Sequence, residues 1–193
     1  MQYGEEVRVL TEKSLKRILA PSTALYPLPV VLVSCGDYMG ERNAITLAWV
    51  GTVASEPPAV AIGVRPTRFS YGLIQRYGDF VINLPTAGQV EILEYCGSVS
   101  GRSEDKFEKA GLTAERAENV RAPLVAEFPV NIECKVKDRI SLGSHDLFIG
   151  EVLAVHIDPK VMTGGEVDPQ KMDPVAYFRG QYFRLGDLVG KRR

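Results

Sequence analysis

Hydrophobic positions along this chain recur in short runs broken by Gly, Pro, Asp and Asn, a spacing that predicts strands more often than helices. Residues 30–35, VVLVSC, form a continuous apolar run expected to be a buried strand, and residues 36–42 turn the chain back as a hairpin. From Asn43 the alternation is strict. Ala44, Thr46, Ala48, Val50 and Thr52 fall on one face of a predicted strand, and Ile45, Leu47, Trp49 and Val53 on the other. The first set is small and the second bulky. Small side chains let a flat ligand lie against the backbone, and they also occur where a helix crosses a sheet closely; the pattern fits both. Ser55-Glu56-Pro57-Pro58 ends this strand, because proline brings no ladder donor, and residues 59–64 make the next.

Arg65-Pro66-Thr67-Arg68-Phe69-Ser70 then leads into a helical run, with Thr67 as the expected N-cap and Gly78 as the stop. Unpaired N–H groups at a helix start, beside two arginines and two hydroxyls, suit a phosphate. An ordinary capped surface helix carries the same local pattern. Residues 79–84 predict a strand closed by Pro85, and Thr86 and Gln89 stand in capping-box spacing at the start of another helix. Ser103 is the expected cap of a further short helix, with Lys106 one turn in and Gly111 at its end. Residues 112–128 look like an irregular connection. Val130, Ile132, Cys134 and Val136 alternate with Asn131, Glu133, Lys135 and Lys137, the pattern of a half-exposed antiparallel strand. Residues 142–144 turn into a strand over 146–157 with a bend at Gly150; residues 158–174 are a loop; residues 177–185 form an aromatic hairpin turning at Gly180 and Gln181. Near the start, Thr11, Leu15, Ile18 and Leu19 fit a short helix that Pro21 interrupts. Many short strands and few helices predict a mainly β chain, a closed β-barrel with peripheral short helices, in one domain over residues 1–193.

Composition narrows the function. With 193 residues, 45% of them hydrophobic, the chain can bury a sizeable core. A formal net charge of -1 gives no basic field for nucleic acid, and Lys191-Arg192-Arg193 is too short to supply one. No apolar run is long enough to cross a bilayer, so no membrane partner is expected. Cys35, Cys96 and Cys134 are scattered, without C-x-x-C, which predicts neither a disulfide framework nor a zinc site and fits a reducing, cytoplasmic compartment. Only His145 and His156 are available, and no nucleophile elbow precedes a helix, so triad hydrolysis and a metal site are both disfavoured. Neither G-x-G-x-x-G nor a P-loop is present. His145 follows Gly143-Ser144 at a strand entry, where a ligand can reach it; His156 lies within a strand and is expected to be structural.

Taken in order, N-A-I-T-L-A-W-V from Asn43, S-E-P-P from Ser55, R-P-T-R-F-S from Arg65, F-V-I-N-L-P from Phe80, S-E-D-K-F from Ser103, G-S-H-D-L-F-I-G-E-V from Gly143 and Y-F-R-G-Q-Y-F-R-L-G from Tyr177 resemble the flavin reductase-like proteins with an FMN-binding split barrel, in particular the flavoredoxin-type branch. The resemblance spans nearly the whole chain. It implies a six-stranded Greek-key split barrel and a homodimer with one FMN per subunit near the interface. It implies that Asn43, Ala44, Thr46, Ala48 and Trp49 line the isoalloxazine, that Arg65, Thr67, Phe69 and Ser70 take the phosphate and ribityl side, that Ser103 and Lys106 approach from the short helix, with Lys106 on the pyrimidine side of the ring, and that His145 and Phe178 close around the ring. Two positions depart from the pattern: Ser70 stands where a threonine is expected, and the motif has G-S-H where G-D-H is expected. The implied function is an FMN-binding oxidoreductase that takes electrons from NAD(P)H or a redox protein and passes them to flavin, a metal chelate or a protein. A non-enzymatic FMN-binding electron carrier is the second reading, and an interaction module without flavin the third.

Overall fold

The structure, a computed structural model, describes residues 18–191. The helix expected from Thr11 lies mostly outside them, and Ile18 and Leu19 are exposed. The chain is mainly β. The hairpin of β1 (Val31–Gly36) and β2 (Arg42–Leu47) forms as expected, with Gly36 opposite Arg42. Gly36 has φ +102°, and a Cβ there would lie 2.2 Å from the Glu41 carbonyl oxygen, so the turn requires glycine. Next come β3 (Val50–Ser55) and β4 (Pro58–Val64), then α1 (Phe69–Tyr77), β5 (Asp79–Leu84) and α2 (Val90–Ser98). The short α3 (Lys106–Lys109) precedes the long strands β6 (Val130–Ser141) and β7 (Asp146–Ile157), and β8 (Val175–Phe178) and β9 (Gln181–Arg184) close the chain.

The seven long strands make one sheet in the order β2-β1-β5-β6-β7-β4-β3. This corrects two expectations. The alternating run 43–53 is two strands, broken at Ala48-Trp49, and those strands stand at opposite edges of the sheet. The hydrogen-bonded order is open rather than closed, and it holds seven strands where the resemblance implies six. Because only two residues separate the edge strands, the sheet must curl until its edges approach; the Gly63 N–H, donating to the Trp49 carbonyl at 2.8 Å, continues the β3–β4 ladder into the connecting residues.

Burial follows the period of two. Val31, Val33 and Cys35 of β1 join Ile62, Val64, Phe80, Ile82 and Phe148 in one cluster, into which α1 sets Leu73 and Ile74. Leu32, on the other face, joins Leu93 and Cys96 of α2 and Phe107 of α3. Gly150 marks the expected bend, a register irregularity, and a Cβ there would lie 2.7 Å from Phe80 Cζ.

One alternation is overridden. Asn131 and Glu133 of β6, predicted to face water, are buried because the segment 112–128 covers them. Glu133 accepts from the Glu118 and Asn119 N–H groups at 2.9 and 2.7 Å, Asp79 from those of Arg121 and Ala122 at 3.2 Å, and Asn83 from that of Val125 at 3.2 Å. Segment 158–174 is likewise more ordered than a loop: Asp158 and Asp168 cap two short helical turns, and Val161 and Met172 pack on Val130. The final hairpin turns at Arg179-Gly180, one residue earlier than expected, with φ +49° and +84°.

Candidate functional site

Two hollows adjoin at β2. The larger, about 430 Å³, is lined by Thr46, Leu47, Ala48 and Trp49, by Leu93, Glu94 and Gly97 of α2, by His145 at the entry to β7, and by Tyr177 and Tyr182 of the last hairpin. The smaller, about 340 Å³, is lined by Asn43, Thr67, Phe69, Ser70, the loop 99–102 and Lys106. Ile45, Arg65 and Arg68 line both.

The smaller hollow is cationic: Arg65, Arg68, Arg102 and Lys106 line it, and among the described residues no carboxylate does. At its helix start the expected cap is corrected. Arg68, not Thr67, is the N-cap of α1, and no side chain satisfies the first turn. Asn43 Nδ2 donates to Ser70 Oγ at 2.8 Å, tying β2 to α1. Lys106 is 3% exposed, and its Nζ donates to the Ala44 and Cys96 carbonyls at 2.9 and 2.6 Å. It is positioned by Asp105, which, rather than Ser103, caps α3 by accepting from the Phe107 and Glu108 N–H groups at 2.9 and 3.2 Å. Among the described residues no ion pair involves Lys106. Burial, with the Arg68 charge in addition, holds its pKa below the ordinary lysine value. A buried cation without a counter-ion among the described residues, beside a helix start that no side chain caps and the Thr67 and Ser70 hydroxyls, fits an anionic group such as a phosphomonoester.

In the larger hollow the Trp49 and His145 rings lie 4.1 Å apart, tilted by 46°. Burial first, then the Arg65 and Arg68 charges, hold His145 below its ordinary pKa, so the imidazole is neutral at pH 7. Ser144 Oγ lies 2.9 Å from His145 Nδ1, so the serine that replaces the expected acid still hydrogen-bonds the ring. Tyr182 donates its hydroxyl to Glu94, and burial together with that carboxylate pushes the phenol pKa up.

Most residues singled out in the sequence converge on these hollows. Ala44 contributes only its carbonyl: its side chain packs under α2 with Leu93 and Cys96, and Thr46 Oγ1 donates to the Leu93 carbonyl at 2.6 Å. Here the small face of the strand serves a close helix crossing. Lys106 lines the smaller hollow rather than the larger. Ser103, hydrogen-bonded to the Ser100 carbonyl, lines neither, and Phe178 instead packs on Tyr26 at 4.7 Å between ring centroids. Period-two alternation places Tyr177 in the hollow in place of Phe178. Arg68 was visible in the R-P-T-R motif. Arg102 sits on a short loop without periodicity, and Gly101 is needed there because a Cβ would lie 2.3 Å from Asn43 Oδ1. The three cysteines are buried free thiols, pushed up to about 12 for Cys35 and Cys134 and about 11 for Cys96, chiefly by burial.

Residues 23–186 match the family model described as the flavin reductase like domain. The chain belongs to the flavin reductase-like family. Among solved structures, this flavin reductase-like chain is similar to the flavoredoxin of Desulfovibrio vulgaris (Miyazaki F), 36% identical with a TM-score of 0.85, over 92% of this chain and 97% of that one. It is similar to a flavoredoxin from Methanosarcina acetivorans, 30% identical with a TM-score of 0.84, over 91% and 95%. An uncharacterized protein of Archaeoglobus fulgidus is 33% identical over 131 residues, 68% of this chain and 73% of that protein.

Proposed function

We propose that this chain binds FMN across the two hollows and works as an oxidoreductase of the flavin reductase type, taking electrons from NAD(P)H or a redox protein and passing them to flavin, a metal chelate or a protein. The observation that carries the reading is the smaller hollow: four cations, one of them buried, with no counter-ion for it and no carboxylate in the lining among the described residues, opening into a larger hollow with aromatic walls. Ser70, Asn43, Thr67, Arg65, Arg68 and Lys106 would hold the phosphate end, and Ala48, Trp49, His145, Tyr177 and Tyr182 would border the ring. Bound FMN supplies the hydride and one-electron chemistry, which needs no acid or base from the protein. The residues orient the cofactor, limit water at the ring and place positive charge where negative charge accumulates on reduction. His145, neutral at pH 7, is available there as a hydrogen-bond partner.

In this reading the curled sheet is a split barrel, and the chain is a homodimer joined through its exposed edge at β3. Residues 51–55 are all exposed, and an apolar hollow of about 300 Å³ beside them is lined by Trp49, Val53, Leu142 and His145, so the partner would close the site from outside. Titration of the apoprotein with FMN, followed by calorimetry and by quenching of flavin fluorescence, tests the reading; absence of binding overturns it. The flavoredoxin likeness favours a second reading, an electron carrier without steady-state turnover. Oxidation of NADH and NADPH in the presence of free FMN separates the two, because a carrier binds FMN and leaves the nicotinamide unoxidised.

A further inference from the structure

We propose, on the basis of the FMN reading above, that the phosphate end of this site is built to end a flavin at its monophosphate and to reject a dinucleotide. The smaller hollow meets the larger one through Ile45, Arg65 and Arg68, and on its other side meets a third hollow of about 360 Å³ through Phe69, Gly101 and Arg102. A flavin dinucleotide with its ring in the larger hollow would carry its second phosphate and adenosine toward that third hollow.

The residues shared by the two hollows, the neck between them, are held in place. Arg102 Nη1 donates to the Thr67 carbonyl at 2.9 Å, and its guanidinium carbon lies 5.9 Å from the Phe69 ring centroid. Gly101 beside it has no room for even a methyl group, since a Cβ would lie 2.7 Å from Phe69 Cδ1. Carboxylates enter beyond this neck, beside Arg42 and Arg102. The third hollow is lined by Glu41, Glu104 and Asp105. Each is held: Glu41 pairs with Arg76 at 2.7 Å, Glu104 accepts from the Tyr95 hydroxyl at 2.6 Å, and Asp105 caps α3. Arg42, the other cation there, lies over the Phe107 ring at 5.2 Å.

A phosphomonoester ending at the neck therefore meets cations and hydroxyls alone. A pyrophosphate must displace Arg102 from Thr67 and bring its second phosphate toward fixed carboxylates, a repulsion built against one ligand rather than an attraction toward the other. Glu104 lines the third hollow and not the second, so it acts on the dinucleotide alone.

Calorimetric titration of the full-length apoprotein with FMN, FAD and riboflavin tests this. The wild type should bind FMN at least about tenfold more tightly than either of the others. Glu104→Gln and Glu104→Lys should leave FMN affinity within about twofold and strengthen FAD binding, by about fivefold or more for the lysine. Arg102→Ala should weaken FMN and narrow the ratio of FMN to FAD. FAD binding as tightly as FMN in the wild type, or a ratio unmoved by both Glu104 variants, overturns the inference while leaving FMN binding intact. Riboflavin binding as tightly as FMN also overturns it, since the phosphate end would then contribute nothing. Binding of no flavin at all overturns the functional reading and this inference with it.

Discussion

Lys106 joins sequence to chemistry most directly. Asp105 fixes it at the start of α3, two carbonyls take two of its protons, and burial lowers its pKa from the ordinary 10.5. A lysine with a lowered folded pKa gives up its proton at a lower pH in the folded apoprotein than in the unfolded chain. Apoprotein stability from this group therefore rises with pH between the lowered pKa and 10.5, while the affinity for an anion falls over the same window. Lys106→Met should weaken FMN by at least about tenfold, ~1.4 kcal/mol, and remove that alkaline fall; dissociation constants measured from neutral pH to pH 10.5 check it, and an unchanged profile in the variant refutes the role. His145 gives an independent reading of the same charges. Its folded pKa is depressed below 6.5, so apoprotein stability falls as pH drops through 6.5 toward the folded value. A phosphate between Arg65 and Arg68 offsets part of their field, so NMR titration of the imidazole should show its pKa rising on FMN binding; no movement would place the anion elsewhere. The sequence displayed Arg65 and Ser70 because they stand in one short motif at a helix start. Arg102 was not legible, because the loop that carries it has no period and its role depends on Thr67 and Phe69 far away in the chain.

Among elements, the segment 112–128 departs most from its sequence pattern. Its irregularity was legible, but its attachment was not: Asp79, Asn83 and Glu133 lie on three separate positions of β5 and β6, and only the register of those strands brings them under one segment. Alternation assigned Asn131 and Glu133 to water because a period describes a strand and not what later covers it. Glu133 is fully buried, accepts from two backbone N–H groups and stands 2.6 Å from His156 Nε2. Burial alone would raise its pKa, but the Glu118 N–H, His156 and Asn119 together hold it below the ordinary carboxylate value. A depressed folded pKa gives stability that is present above the ordinary value of 4.5 and is lost as pH falls through the folded one. Glu133→Ala should destabilise the fold by about 3 kcal/mol, because it orphans buried donors, and should speed hydrogen exchange at the Glu118 and Asn119 amides. Denaturant unfolding and amide exchange check this, and Glu133→Gln should lose part of the stability together with the acid limb of its pH dependence. Exchange unchanged at those amides would show that the segment is held by other contacts.

For the whole molecule, the mainly β class, the two hairpins and the bend at Gly150 could all be inferred from local patterns. The position of the sheet edges could not. Alternation continues from Asn43 to Val53 with only Gly51 interrupting its bulky face, so the local pattern does not show that the chain leaves one edge at Leu47 and joins the other at Val50; the long-range order of β1, β5, β6, β7 and β4 fixes that. The crossing has two effects. It sets Trp49 between the larger hollow and the apolar hollow beside β3, and it leaves β3 as an exposed edge, with Val53 53% and Leu142 63% exposed. An edge strand with free N–H and C=O groups and an apolar flank is a template for pairing, and a second copy of this chain would bury it. Val53→Asp places a charge in that flank without touching either cluster of the core. On the dimer proposed above, light scattering should show a dimer mass for the wild type and a monomer mass for the variant, with the far-ultraviolet dichroism of the fold unchanged. Because Trp49 and His145 border both hollows, the monomer should also bind FMN more weakly, with Ser70 and Lys106 still in place. A wild type that stays monomeric, or a variant that keeps the dimer mass, would show that this edge is not the contact.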